Sequence, residues 1–130
     1  MGGRPPRPVG VVATAAVVVL AYGSVVHLVH LVGSGFDPYP DLPVWLRTYF
    51  VALTVFDPVA AVLLARRTRT GVALAIAVLV ADAPANGWAN YALDPSGGVM
   101  VGHADQAVVT VLAIAAGTAS ITCDRSRTDP

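Results

Sequence analysis

Two aspartates, Asp57 and Asp82, each interrupt a run of apolar residues that is long enough to cross a lipid bilayer. An ionised aspartate at the centre of a membrane helix costs about 2.5–3.5 kcal/mol on insertion scales, so carboxylates at this depth are functional sites by default. Two carboxylates that lie close together cannot both ionise cheaply, and they share a proton. The pair predicts a mid-membrane site for a proton, a cation or a small polar ligand. A structural role, in which protonated aspartates bond across helices, is the alternative.

A proline adjoins each aspartate. Pro58 follows Asp57 directly, and Pro84 comes two residues after Asp82. A proline inside a helix leaves the carbonyl four residues earlier without its hydrogen bond, and in the second apolar run this is the carbonyl of Thr54. Freed carbonyls beside carboxylates form the cation and proton sites of broken transporter helices, so this pattern favours an ion site over simple packing.

Further polar residues share helical faces with the two aspartates. Asp82, Asn86 and Asn90 follow one another at four-residue steps, which places them on one edge of a helix. Small residues allow helices to approach closely, and polar residues bond between them. The residues predicted to bind a ligand or proton are Asp57, Asp82, Asn86, Asn90, Gln106 and Thr54. We expect them to line a polar cavity that opens outward, with the carboxylates at its floor.

The three histidines of the chain form a second candidate site. His27 and His30 are three residues apart on one helical face, and His103 falls at a similar depth in the last apolar run. Together with Asp105 they offer the imidazole and carboxylate groups that hold a transition metal, and a haem between helices is a related interpretation. Histidines near the lipid headgroups, without any ligand, are the alternative.

An enzymatic function has little support in the sequence. No glycine-rich phosphate loop occurs, and the single cysteine, Cys123, falls at the opposite end of its apolar run from the histidines and aspartates. A histidine–aspartate acid/base pair acting on a lipid-like substrate is the enzymatic interpretation that the residues leave open.

The composition is that of an integral membrane protein. Charged residues make up 12% of the chain, against roughly 25% in soluble domains. Hydrophobic residues make up 55%, and the mean hydropathy is +0.68. The net charge of zero argues against a nucleic-acid partner, because no basic face is present to neutralise phosphates. All the basic residues are arginine and all the acidic ones aspartate, a bias typical of GC-rich bacterial genomes.

Four apolar runs divide the chain and predict an all-α bundle of four transmembrane helices. The predicted spans are residues 9–32, 44–65, 71–91 and 103–121, in a single transmembrane domain of residues 9–122 flanked by the tails 1–8 and 123–130. The first run follows two arginines, as in a signal peptide, but it is too long for one and is expected to be a retained span.

The arginines predict the orientation of these spans. All but one of them precede span one, join spans two and three, or follow span four: Arg4, Arg7, Arg66, Arg67, Arg69, Arg125 and Arg127. If all four spans cross, these regions share one side, and the positive-inside rule places both termini in the cytoplasm of a protein of the cell membrane. Arg47 lies on the other side, where we expect it to pair with Asp41 or a lipid phosphate.

Two segments carry a resemblance to other proteins. Residues 53–67, Leu-Thr-Val-Phe-Asp-Pro-Val-Ala-Ala-Val-Leu-Leu-Ala-Arg-Arg, and residues 82–86, Asp-Ala-Pro-Ala-Asn, resemble small uncharacterised four-span membrane proteins of GC-rich bacteria, a family without an established activity. The chain is similar in layout alone to DoxX-like proteins and to small multidrug-resistance transporters. The latter carry a glutamate in their first span, where this chain has no acidic residue.

These observations lead to one principal expectation and two alternatives. We expect a small membrane protein, a homo-oligomer in the lipid bilayer, that binds a small molecule or ion in an outward-facing cavity and is coupled to protons through Asp57 and Asp82. The first alternative is a membrane protein that binds a metal ion or haem through His27, His30 and His103. The second is an accessory subunit whose polar face packs against a larger membrane complex.

Overall fold

The structure, a computed structural model, describes residues 7–35, 37–93, 108, 110–112, 114 and 115. Regular structure in this part of the chain is helical: α1 spans Arg7–Gly33, α2 spans Val44–Ala65 and α3 spans Arg69–Ala92. Residues 108, 110–112, 114 and 115 are helical as well. The all-α prediction is therefore confirmed for the described residues.

Each of the three long helices is long and apolar enough to cross a membrane, by length and composition. The first three predicted spans agree with α1, α2 and α3 to within two residues at every boundary. Most of the fourth predicted span, residues 103–121, lies outside the described residues, as do the tail 123–130 and most of the tail 1–8.

The second helix is the centre of the described bundle, because α2 packs against both α1 and α3. Its buried residues recur at alternating four- and three-residue steps, with Ala61 beside them: Leu46, Phe50, Leu53, Asp57, Ala60 and Leu64. This spacing is typical of side chains that interlock between neighbouring helices. Asp57 thus occupies a core position in a row of otherwise apolar residues.

The neighbouring helices present rows with the same spacing. On α1 the buried Ala16 and Leu20 are followed by the half-buried Gly23 and His27. On α3 the row comprises buried Gly71, Ala75 and Val78, then half-buried Asp82 and buried Ala85. Away from these rows the helices expose apolar side chains such as Val18, which is 62% exposed. The faces between the helices therefore combine apolar residues with small and polar ones, whereas the outer faces expose branched aliphatic residues.

A tight turn joins α2 to α3. Arg67 takes a left-handed backbone conformation with φ of 56°, and Thr68 then caps α3. The Thr68 hydroxyl donates to the Leu63 carbonyl at 3.0 Å and accepts from the Gly71 N–H at 2.9 Å. A side chain at Gly71 would collide with the Leu63 carbonyl, so this glycine lets the two helices come together directly after the turn.

We predict that Gly71→Ala destabilises the bundle by about 1–3 kcal/mol, because the added methyl meets backbone atoms that cannot move aside. The measurement is the thermal unfolding midpoint in detergent. Gly10→Ala is the matched control, since a methyl there has nothing within 4 Å and alanine is the better helix former. Equal midpoints for the two variants would contradict the packing of α3 on α2.

The loop between α1 and α2 holds the partner of Arg47. Its guanidinium Nη1 lies 2.8 Å from Asp37 Oδ1, so the predicted pairing with Asp41 is wrong. The Leu42 N–H donates to the Tyr39 carbonyl at 3.0 Å and closes a turn that contains Asp41. Arg47 instead pairs with the carboxylate of Asp37, which precedes this turn in the chain.

Candidate functional site

Asp57 is the buried acidic group around which the site is built. Its relative exposure is 4%, and it points at α1, where it meets a glycine. A Cβ atom at Gly23 would lie 2.7 Å from Asp57 Oδ2, closer than side-chain atoms ordinarily approach. The absence of a side chain at Gly23 therefore makes the space that the carboxyl group occupies.

His27 lies one helical turn beyond Gly23 and forms an ion pair with Asp57 when the imidazole is protonated. The distance from Nε2 to Asp57 Oδ2 is 3.8 Å, longer than a direct hydrogen bond. The imidazole stacks on Phe50 of α2 with a centroid distance of 5.7 Å and an angle of 22° between the planes. Phe50 thereby fixes the ring with one nitrogen toward Asp57 and the other toward the α1–α2 loop.

Tyr39 connects the two histidines of α1. Its hydroxyl lies 3.2 Å from His27 Nδ1 and 2.8 Å from His30 Nδ1. The tyrosine backbone has φ of 59°, a left-handed conformation that costs a bulky residue about 1–3 kcal/mol. The ring also packs against Phe50 at 5.3 Å. Packing thus holds Tyr39 in an unfavourable conformation that places its hydroxyl between two imidazoles.

The Tyr39 hydroxyl keeps its proton at neutral pH. Burial, and secondarily the negative charge of Asp82, raise the pKa of Tyr39 to about 12. A neutral tyrosine has one hydrogen to donate, so it donates to one histidine and accepts from the other. The tautomers of His27 and His30 are consequently linked through this single hydroxyl group.

The second carboxylate lies on α3 and is held by its own helix. Asn86 donates from Nδ2 to Asp82 Oδ1 at 2.7 Å and to the Asp82 carbonyl at 3.2 Å. Asp82 is close enough to Tyr39, Tyr49 and Asp57 to interact electrostatically with each of them. Asp57, Asp82 and Asn86 therefore lie in one polar region of the described structure, and their role in binding a ligand or proton stays a prediction.

Two hydroxyl groups of α2 add unsatisfied polar atoms to this region. Thr54 Oγ1 and the Tyr49 hydroxyl oxygen are buried, and neither has a hydrogen-bond partner among the described residues. Leaving such a group unpaired costs about 1–3 kcal/mol. The helices also continue through Pro58 and Pro84, so carbonyl oxygens close to both carboxylates lack their usual backbone donors. The region is rich in oxygen acceptors.

The remaining predicted site residues are only partly placed. Asn90 is half-buried on α3 and engaged by a partner. Gln106, and the candidate metal ligands His103 and Asp105, lie outside the described residues. Within the described ranges no three potential ligands form a metal cluster, and His27 and His30 both direct Nδ1 at Tyr39. The metal or haem interpretation stays a prediction.

An open pocket of about 330 Å³ lies at the end of α1. Its lining residues come from the last turns of α1 and the following loop: Val29, His30, Gly33, Ser34, Pro38 and Tyr39. Neither carboxylate lines this pocket. His30 and Tyr39 line this pocket and also belong to the site. The His30 side of the site is therefore in contact with the surroundings of the protein.

Tyr39 and Gly23 acquire roles that the sequence did not indicate. The feature of the sequence that could have drawn attention to Tyr39 is its position between Pro38 and Pro40, in the loop that follows His27 and His30. Nothing in that pattern predicts a left-handed backbone. The contact of Gly23 with Asp57 depends on how α1 and α2 are aligned, which the sequence does not give.

No protein-family model, curated protein or solved structure matches the chain. The resemblance to small four-span membrane proteins therefore stays a prediction.

We predict that Gly23→Ala displaces the Asp57 carboxyl group and lowers the free energy of unfolding by about 1–3 kcal/mol, because the new methyl occupies the space beside Oδ2. Thermal unfolding in detergent measures the change. Gly33→Ala on the same helix is the control, since a methyl there has nothing within 4 Å. A Gly23→Ala protein as stable as the control would show that Asp57 does not press against α1.

Proposed function

We propose that the chain is a small multi-pass membrane protein that binds a small polar ligand or cation at Asp57 and Asp82, with binding coupled to protonation of these carboxyl groups. It acts as a homo-oligomer, because so small a bundle leaves little protein around its polar interior. The observation that carries the proposal is the burial of Asp57 in the contact between α1 and α2, where its ion-pair partner, His27, is charged only when it is protonated.

The energetics of Asp57 support a proton-linked role. An ionised carboxylate in a buried position is costly, and the cost falls when the group takes a proton or pairs with a cation. His27 is a half-buried partner that is charged only when protonated, and its Nε2 atom is 3.8 Å away. Protonation of Asp57, protonation of His27 and binding of a cation would each offset the cost of burying this carboxyl group.

The surroundings of the carboxyl groups support a ligand that interacts with oxygen atoms. Asp82 interacts electrostatically with Asp57, and Thr54 and Tyr49 contribute buried hydroxyl oxygens. Carboxylates with hydroxyls and freed backbone carbonyls coordinate protons and small cations in transporters with interrupted helices. A cation entering such a site replaces a proton, because both compete for the same oxygens. This competition is the basis of the proposed coupling.

The orientation in the membrane is part of the proposal. The bundle crosses the cell membrane four times, the fourth span being residues 103–121, and both termini are cytoplasmic. Arg66, Arg67 and Arg69 at the α2–α3 turn support this orientation through the positive-inside rule. The α1–α2 loop, with Tyr39 and the open pocket beside it, then faces the outside.

We predict that Asp57→Asn and Asp82→Asn each reduce proton uptake on full acidification by about one proton per protein, because each variant replaces one titrating carboxyl group of the pair with an amide. Uptake is measured with a pH-sensitive dye after an acid pulse to the lightly buffered, detergent-purified protein. Asp41→Asn, which removes an exposed carboxyl group from the loop, is the control. Unchanged uptake in both core variants, with the fold intact, would refute the proposed proton coupling.

We predict opposite labelling of the two connecting segments in whole cells. In a Cys123→Ser background, Asp41→Cys in the α1–α2 loop reacts with a membrane-impermeant maleimide added from outside. Thr70→Cys at the start of α3 reacts only after the membrane is permeabilised. Both positions are exposed in the structure, and both variants keep all the arginines. The reverse pattern would contradict the orientation.

A further inference from the structure

We propose that Asp57 exchanges protons with the outer solution through a relay of His30, Tyr39 and His27, in which the Tyr39 hydroxyl group switches its donation between the two histidines. The relay rests on the proposed function, because Asp57 is its inner proton acceptor. It adds the route and the residue that controls it.

Contacts between polar atoms trace the relay from the pocket to the core. His30 lines the open pocket and is exposed, and its Nδ1 atom is 2.8 Å from the Tyr39 hydroxyl. That hydroxyl is 3.2 Å from His27 Nδ1, and Nε2 on the other side of the His27 ring is 3.8 Å from Asp57 Oδ2. Exposure falls along the same path, from exposed His30 through half-buried Tyr39 and His27 to Asp57 at 4%.

The donor and acceptor requirements of these groups allow two complete arrangements. In the first, Asp57 is ionised: His27 Nε2–H faces the carboxylate, the Tyr39 hydroxyl donates to His27 Nδ1, and His30 Nδ1–H donates to the Tyr39 oxygen. In the second, Asp57 is protonated and points its proton at His27 Nε2. His27 Nδ1–H then donates to the Tyr39 oxygen, and Tyr39 donates to His30 Nδ1.

Conversion of the first arrangement into the second transfers one net proton from the solution to Asp57 and breaks no bond between heavy atoms. A proton binds His30 at Nε2, and the Nδ1 proton of His30 passes to the Tyr39 oxygen. The hydroxyl proton of Tyr39 passes to His27 Nδ1, and the Nε2 proton of His27 passes to Asp57. One proton is taken from the solution, one is added to Asp57, and all three relay groups end neutral.

The last transfer is the longest step of the relay. At 3.8 Å the His27 and Asp57 atoms must approach by a small rotation of either group, or be bridged by a water molecule. The carboxyl group lies directly against Gly23, where no side chain of α1 stands in its way. Among the described residues, the other titratable groups that act on Asp57 are Asp82 from α3 and Tyr49 from its own helix. They influence how readily Asp57 holds the proton, whereas the relay determines how fast it arrives.

The unusual backbone of Tyr39 supports the same assignment. Tyr39 has φ of 59°, and its ring contact with Phe50 does not require a hydroxyl group. The hydroxyl is the one atom of Tyr39 that contacts both imidazole nitrogens. The conformation is costly and produces a bridge between two proton carriers.

The experiment follows the protonation of Asp57 in time, in the full-length protein in detergent. The carboxylic-acid C=O stretch that disappears in Asp57→Asn is recorded by time-resolved infrared spectroscopy after a pH jump. Tyr39→Phe removes one hydroxyl group and keeps the ring. Tyr22→Phe removes the hydroxyl group of an exposed tyrosine on α1 and is the matched control. His30→Gln is a second relay variant, at an exposed position where folding is not at risk.

We predict that Tyr39→Phe and His30→Gln slow the protonation of Asp57 by about 100-fold, the usual contribution of a positioned proton-transfer group, while the final extent of protonation stays close to that of the wild type. Tyr22→Phe leaves the rate unchanged. Wild-type rates in both relay variants, with Asp57 still taking up its proton, would overturn the relay and leave the proposed function standing. An Asp57 band that does not change with pH would overturn both.

Discussion

The burial of one carboxyl group between two helices is the constraint on which the site depends. Asp57 takes a core position in the repeating row of α2 that apolar residues fill elsewhere, and α1 accommodates it with a glycine and a histidine. Gly23 provides the space for the carboxyl group, and His27 provides the side chain of α1 that pairs with it when the imidazole is protonated. The close packing of α1 on α2 and the chemistry of the site are therefore the same set of contacts.

A second consequence follows for the loop between α1 and α2. His27 can act on Asp57 only if its ring is held, and stacking on Phe50 holds it from α2. The loop places the Tyr39 ring against the same phenylalanine, at the cost of a left-handed backbone. The Tyr39 hydroxyl group then links His27 to His30. The ion pair of Arg47 with Asp37 closes the loop above this cluster. The conformation of the loop and the orientation of the His27 ring thus depend on each other.

The sequence predicts the helices well, because their signals are local. Length and hydropathy locate α1, α2 and α3, and the position of Asp57 and Asp82 within long apolar helices follows from the same pattern. The contacts that make the site are not local. Which residue of α1 meets Asp57 depends on the relative alignment of two helices, and the partner of Arg47 depends on the path of a loop. A tyrosine between two prolines gives no sign that its backbone is left-handed, since the packing of its ring selects that conformation.

The most direct test of the account is the ¹³C nuclear magnetic resonance of the side-chain carboxyl carbons in protein labelled at aspartate, with Asp57 assigned from Asp57→Asn. The account predicts that the Asp57 signal moves between its ionised and neutral positions as the pH changes within the range where the bundle stays folded. The Asp82 signal responds in the same interval, because the two groups interact. An Asp57 signal that holds one position throughout this range would contradict the claim that this buried carboxyl group is a working proton acceptor.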